Sequence, residues 1–239
     1  MSSAILKFAD DTKIYGRVDC WEDRNRLQKD LERLVDWADR WQMSFNVGKC
    51  KVMHLGGHNL EWNYVMSQQR LKVVREERDL GVVLRDDLKV SGNCQQAYAK
   101  ASRMLGLMAR TVRFRSLEVM TRLYKSLVRP HLEYCASAWS LHYVKDGELL
   151  ERVQRRFSRM VPGLRGLEYD ERLERLGLMT LGERRNRADL IEMFRISKGL
   201  SAISLESFFE LDNSGRTIGH SLKLKRRRFQ TDTRKFFFS

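Results

Sequence analysis

The sequence predicts an α+β protein, a small mixed α/β part followed by a mainly helical one, and three observations predict it. Short apolar runs at strand spacing, broken by acidic pairs and glycines, fill residues 1–90. A three-and-four apolar period takes over across residues 91–205. From about Glu206 the periodicity is lost, so 206–239 reads as a basic, irregular tail. At 42% hydrophobic residues over 239 positions the composition is that of a folded chain, long enough for one sizeable core or two small ones.

In the first part, Ala4 to Val18 reads as a hairpin turning at Asp10-Asp11, with Ile5, Leu6 and Phe8 before the turn and Ile14, Tyr15 and Val18 after it. A helix follows from about Glu22 to Trp41, because Leu27, Leu31, Leu34, Ala38 and Trp41 repeat at helical spacing and form a packing face. Three short strands are then expected. Lys51–Leu55 is ended by Gly56-Gly57; Leu71–Val74 and Leu80–Leu84 are separated by a charged turn from Arg75 to Asp79.

In the second part, Cys94, Ala97, Ala101, Leu105 and Met108 make one helical stripe, and Leu117, Met120, Tyr124 and Leu127 make the next. Ser91 and Ser116 suit the N-caps of these helices, since a hydroxyl can accept from an unpaired helix N–H. Pro130 should end the second helix, and Asp146 should cap a third from Gly147 to about Met160. Pro162 and nearby glycines interrupt the chain. Thr180-Leu181-Gly182-Glu183 has the spacing of a capping box and opens a helix carrying Leu190, Ile191 and Phe194.

Charge narrows the partner. Lys and Arg outnumber Asp and Glu by 45 to 31, and a net charge of +14 favours an anionic partner, with nucleic-acid phosphate the commonest. Apolar runs are too short or too charged for a signal peptide or a membrane span, so no membrane partner is expected. Cys20, Cys50, Cys94 and Cys135 lie far apart, which suits buried free thiols in the reducing interior of the cell. Cys50, His54 and His58 lack the fourth ligand of a zinc site. The run Lys223 to Arg228 resembles a nuclear import signal, and nucleus and cytoplasm both stay open.

Phe8-Ala9-Asp10-Asp11 is the sharpest chemical signal. Two adjacent carboxylates on a tight turn between apolar strands can hold hard cations. In nucleotidyl transfer, two magnesium ions about 3.5–4 Å apart stabilise the attacking and leaving oxygens. An acidic pair is also an ordinary turn, which is the reading preferred for Asp86-Asp87.

Around this signal the sequence resembles the reverse transcriptases of non-LTR retrotransposons, the LINE-like class with its jockey-like and chicken-repeat-like members. Lys7 to Tyr15 is similar to that family's catalytic hairpin; Trp37 to Trp41, Met43 to Asn46 and Lys49 to Gly56 are similar to the stretch after that hairpin. Glu77 to Val82, Leu123 to Cys135, Leu150 to Arg156 and Arg184 to Ile191 continue the likeness in order. The resemblance implies the end of a polymerase palm in 1–90, a helical thumb and connection region in 91–205, and RNA-directed DNA synthesis as the family's activity. It implies magnesium as cofactor, a deoxynucleotide as substrate, and an RNA template with a DNA primer as partners. Asp10 would be the principal metal ligand and Asp11 its support, Lys49 could protonate leaving pyrophosphate, and His54, Leu55 and Gly56 would correspond to the primer grip.

The family's first catalytic aspartate, its nucleotide-pocket motif and its fingers are not found ahead of Phe8, and the C-terminus looks clipped too. The expectation is therefore a polymerase fragment that is inactive alone. Independently of the resemblance, Arg152, Arg155, Arg156 and Arg159 fall on one side of a helix whose other side carries Leu149, Val153, Phe157 and Met160. Such a row can bind phosphates without reading sequence. Arg184, Arg185 and Arg187 form a second basic cluster, and the tail run a third. The tryptophans read mainly as packing residues. Two further functions fit the sequence: a non-catalytic nucleic-acid-binding module derived from the thumb, and a helical scaffold for protein interaction.

Overall fold

A computed structural model describes residues 3–56, 59–141, 143–212, 223–225 and 228. Most of the tail expected over 206–239 thus lies outside the described residues, as does His58. The chain divides into two compact units, Met1–Lys89 and Val90–Ser239.

The first unit begins with an antiparallel hairpin, β1 (Ala4–Phe8) and β2 (Asp11–Tyr15), in which Phe8 faces Asp11 and Ala4 faces Tyr15. The turn is Ala9-Asp10, and Ala9 takes a left-handed φ of 51°, a conformation that costs a residue with a Cβ about 1–2 kcal/mol. Helix α1 (Trp21–Arg40) buries Leu34 and Ala38. Its Leu27, Leu31 and Val35 pack against a cluster of Tyr64, Met66 and Leu71. The expected stripe stops short of its last member: Trp41 follows the helix and is 64% exposed. Trp37 also faces outward, with the Lys7 ammonium 5.3 Å from its ring.

The strands after α1 are shorter than expected. Of Lys51–Leu55, β3 (Lys51–Val52) alone pairs, parallel to β6 (Lys72–Val73), because the partner turns away at Arg75 into the next hairpin. Between them β4 (Val65–Met66) and β5 (Gln69–Arg70) form an unanticipated hairpin through Ser67-Gln68, both at positive φ. No Asn-Gly or Asp-Gly marks that turn. The charged turn expected over Arg75–Asp79 is corrected: β7 (Glu76–Asp79) is a strand paired with β8 (Val82–Arg85), and Leu80-Gly81 is the turn. Positive φ at both Leu80 (45°) and Gly81 (86°) is what a two-residue hairpin demands, and Gly81 was its signal.

The second unit is helical. Helix α2 (Ser91–Thr111) buries Cys94, Ala97, Ala101, Leu105 and Met108, the stripe expected from spacing. Its cap is corrected, since Val90 occupies the N-cap and the Ser91 hydroxyl donates to Asp146 at 2.6 Å. Ser116 does cap α3 (Leu117–Leu123), accepting from the Val119 N–H at 3.2 Å.

Pro130 does not end this helix. The chain widens into a π-helical turn over Tyr124–Val128 and resumes as α4 (Arg129–Glu133), with Pro130 in its first turn, where no donor is missed. Of the expected stripe only Met120 and Tyr124 are buried: Leu117, in the first turn, is exposed, and the widening explains why Val128 is buried in place of exposed Leu127. Met120, Tyr124, Val128 and Leu132 face the core at steps of four, which drift about 40° per step on an α-helix. A wider turn absorbs part of that drift.

Helix α5 (Val144–Met160) starts ahead of Asp146, which is a buried first-turn carboxylate rather than the cap. Helix α6 (Tyr169–Leu176) was not foreseen, although Glu168 and Glu171 form its capping box and Gly177 ends it at φ 57°. Thr180 and Glu183 form the expected capping box of α7 (Leu181–Ser197). That helix buries Leu181, Arg185 and Ile196, whereas Leu190, Ile191 and Phe194 face outward.

The core of this unit carries a satisfied polar network. The Tyr124 ring stacks on Phe157 at 4.1 Å, and its hydroxyl donates to Gln154 at 2.8 Å. Gln154 in turn donates to the Met179 carbonyl at 3.0 Å, and Glu151 accepts from the Leu181 N–H at 2.9 Å. Burial raises the Tyr124 hydroxyl well above its ordinary pKa.

Burial also pushes the Cys94 thiol up to about 12. Cys94 alone is buried as expected of all four; Cys50 is half-buried, and Cys20 and Cys135 lie at element ends and are exposed. With a disulfide-forming reagent at pH 8, Cys20 and Cys135 therefore react in the native chain, and Cys94 reacts only once the second unit unfolds. Thiol counting with and without denaturant checks this. Native reactivity at Cys94 would contradict the packing of α2. No helix among the described residues is long and apolar enough to cross a membrane.

Candidate functional site

The hairpin turn of the first unit presents the paired carboxylates. Asp10 lies in the turn, Asp11 opens β2, and both are exposed. The hairpin is fixed on α1, where the Ser3 N–H donates to the fully buried Asp30 at 2.8 Å. A Lys13–Asp79 ion pair ties β2 to β7. Among the described residues no group of three His, Cys, Asp or Glu stands where it could hold a metal, so Asp10 and Asp11 gain no third ligand. Two exposed carboxylates do not fit a pair of magnesium ions, whose charge needs more oxygens than one turn supplies.

Asp86 and Asp87 do not complete the set. Asp87 accepts from Arg85 at 3.2 Å and from the Lys89 N–H at 3.0 Å. Partial burial pulls its pKa up, and these hydrogen bonds outweigh that effect and leave it lowered. This is a charged turn, as the sequence suggested.

Lys49 closes a short 3-10 turn (Val47–Lys49) and is exposed, and no hydrogen bond or ion pair links it to Asp10 or Asp11 among the described residues. His54, Leu55 and Gly56 line an open groove of about 420 Å³ with Ile14, Val18, Leu27, Leu31 and Tyr64. The His54 ring stands 6.4 Å from Tyr64 in a stacked arrangement, and its Nε2 is buried without a hydrogen bond. His54, Leu55 and Gly56 are thus brought beside the end of β2, against the apolar face of α1.

In the second unit the basic row assembles as the spacing requires, but its counterface is corrected. Leu150 is buried where Leu149 was expected, because position 149 lies one turn before Arg152 on the same side, and Met160 lines the arginine groove. Leu150, Val153 and Phe157 are buried, so α5 turns Arg152, Arg155, Arg156 and Arg159 to solvent. These four line an open groove of about 500 Å³ with Met160 and Arg165. Sequence reading missed Arg165. Its neighbour Leu164 is buried and pins the loop after α5, with the Leu164 N–H donating to Val161 at 3.3 Å. That apolar anchor was the available signal.

The Arg155 guanidinium lies 5.2 Å over the Tyr169 ring. Arg152, Arg156, Arg159 and Arg165 make no ion pair or hydrogen bond among the described residues, so their donors are free for an external anion. Unpaired arginines held side by side repel one another, an arrangement that an anionic ligand relieves.

The second cluster separates instead of forming one patch. Arg184 makes a forked pair with Glu133, whose hydrogen bond raises the arginine's pKa. Arg185 turns inward, donating to the Leu132 carbonyl at 3.0 Å and the Trp139 carbonyl at 3.3 Å, with its guanidinium 3.9 Å over the buried Trp139 ring. Burial brings its pKa down to about 10. Arg187 alone of the three is exposed. In the tail run, Lys225 pairs with Glu210 at 3.0 Å; Arg226 and Arg227 lie outside the described residues.

Comparison with known proteins gives one distant likeness. The chain is 24% identical over 185 residues to an RNA-directed DNA polymerase from the mobile element jockey of Drosophila funebris, covering 72% of this chain. It spans 20% of that relative's length. No family model matches, and no solved structure matches. The likeness relates the chain, distantly and over part of its length, to the reverse transcriptases of retrotransposons.

Proposed function

We propose that the chain is part of an RNA-directed DNA polymerase of a non-LTR retrotransposon, combining the end of the palm with the thumb and connection region. Its own role is to hold an RNA–DNA duplex by the phosphate backbone. The observation that carries this reading is the row Arg152, Arg155, Arg156 and Arg159, joined by Arg165 on one open groove and, Arg155 apart, unpaired among the described residues. Free guanidiniums at helical spacing suit phosphates and carry no base readout. The distant likeness to the jockey polymerase supports a nucleic-acid partner in general.

In the intact enzyme the Asp10–Asp11 turn would contribute carboxylates to magnesium, which supplies charge stabilisation to nucleotidyl transfer when bound. The donor set within the described residues is too small to hold the metal pair, and no catalytic step is assigned to this chain. Primer extension on an annealed RNA template, with magnesium and then manganese, is expected to give no product from the chain or from an Asp10→Ala, Asp11→Ala variant. Product from the chain that disappears in the variant would overturn this part of the reading.

A scaffold reading has one specific observation in its favour, the exposed Leu190, Ile191 and Phe194 on α7. Weak duplex binding together with self-association at rising concentration would favour it.

A further inference from the structure

A second basic surface adjoins the first. Lys100, Arg103 and Arg110 line an open groove of about 640 Å³ along α2 together with Gly106, and Arg156 of α5 lines both this groove and the one described above. The two helices pack on each other, so the surface is continuous across them. We propose that this face of α2 is a further contact site for the phosphodiester backbone of the bound nucleic acid, with Gly106 as the point of closest approach. The inference rests on the reading of the helical unit as a nucleic-acid grip.

Three observations carry it. From Leu88 to Leu117 the chain contains no Asp or Glu but does contain Lys89, Lys100, Arg103, Arg110, Arg113 and Arg115. An ordinary solvated helix mixes signs, as α1 does with Glu22, Asp23, Glu32, Asp36 and Asp39 among its basic residues. Next, Arg103 and Arg110 stand on the side of α2 away from its buried stripe, and Lys100, half-exposed, stands on the flank of that side. None of them has an ion pair among the described residues.

The third is Gly106 itself. Glycine is the weakest helix former after proline, yet it stands in the interior of α2. A Cβ there would meet nothing closer than the Arg110 guanidinium at 3.9 Å, an ordinary contact. Packing within the protein therefore does not require glycine. A missing side chain leaves room for a backbone to come close to the helix from outside, and the surrounding cations suit phosphate as what approaches.

The test uses the full chain and a fluorescein-labelled RNA–DNA hybrid, with affinity measured across a salt series. A Lys100→Gln, Arg103→Gln, Arg110→Gln variant is expected to bind at least tenfold more weakly, with the slope of log K against log salt flatter by about 2.7, near 0.9 for each lost phosphate contact. Gly106→Ala should raise the unfolding midpoint by about 2–4 °C, because it removes a poor helix former, and still weaken binding severalfold. Unchanged affinity and slope in the triple variant, beside loss of both when the α5 row is replaced, would overturn this inference and leave the proposed function standing. If the triple variant fails to fold, Gly106→Ala decides, and binding equal to that of the unsubstituted chain overturns the site. No hybrid binding by the unsubstituted chain would remove the site and the proposed function together.

Discussion

Replacing Arg152, Arg155, Arg156 and Arg159 together by glutamine is expected to weaken RNA–DNA hybrid binding about a hundredfold at low salt while leaving the fold intact. The four side chains are exposed, and the face that holds α5 in place is Leu150, Val153 and Phe157. Glutamine keeps the helix propensity and much of the aliphatic stem, so stability should move by less than about 0.5 kcal/mol per site. Removing these neighbouring cations, three of them unpaired, also relieves repulsion, which offsets the loss of the Arg155 contact with the Tyr169 ring, and the variant should stay close to the parent in stability. Equilibrium binding by fluorescence anisotropy, with circular dichroism as the fold control, separates the two effects. Undiminished affinity in a folded variant would show that the row is only a solvated face.

Arg185→Met should do the opposite, unfolding the second unit more readily without acting on ligand phosphates directly. The substitution leaves the Leu132 and Trp139 carbonyls without their donors and removes the cation from the Trp139 ring. Each carbonyl stranded in the core costs about 1–3 kcal/mol, partly offset because a charge need no longer be buried, so a net loss of about 3 kcal/mol is expected. For a chain of this size that lowers the melting midpoint by roughly 6–12 °C. Arg187→Met, on the exposed side of the same helix, should stay within about 0.5 kcal/mol. Thermal melts of the pair check the assignment. Equal midpoints would mean that Arg185 is not the buried clamp of α7.

The contrast between these arginines shows what could be read in advance. The α5 row was legible because the arginines themselves repeat at helical spacing, with Val153 and Phe157 opposite them, although Leu150 and not Leu149 completes the buried face. In α7 the same residue type stands four places after buried Leu181, on the inward side, but a run of arginines looks alike whether it meets water or carbonyls. Trp139, which receives Arg185, is far away in sequence, and no local pattern announces it.

The capping boxes at Glu168 and Thr180 are local chemistry and were open to reading, although the first was overlooked. Ser91 and Asp146 were each assigned a cap within their own helix. They bond to each other instead, a contact between α2 and α5 that spacing cannot encode. The π turn before Pro130 likewise follows from where Val128 and Leu132 must pack.

The hairpin turn was legible from its acidic pair and flanking apolar residues, and strands β1 and β2 lie where the alternation put them. Leu80-Gly81 was missed because the charged residues before it resemble a turn, whereas the φ requirement of a two-residue hairpin selects the glycine. Metal ligand sets are gathered from strands distant in sequence, so two adjacent aspartates identify a turn and not a complete site.

The central claim, that this chain grips nucleic acid by its backbone, is tested most directly by the salt dependence of its binding to an RNA–DNA hybrid. Between 50 and 200 mM salt the four arginines of the α5 row alone predict a slope near −3.6 in log K against log salt, an affinity loss of about a hundredfold, with little dependence on hybrid sequence. The α2 face would steepen the slope further. Binding that is absent at 50 mM, or that barely changes across this range, would contradict the account.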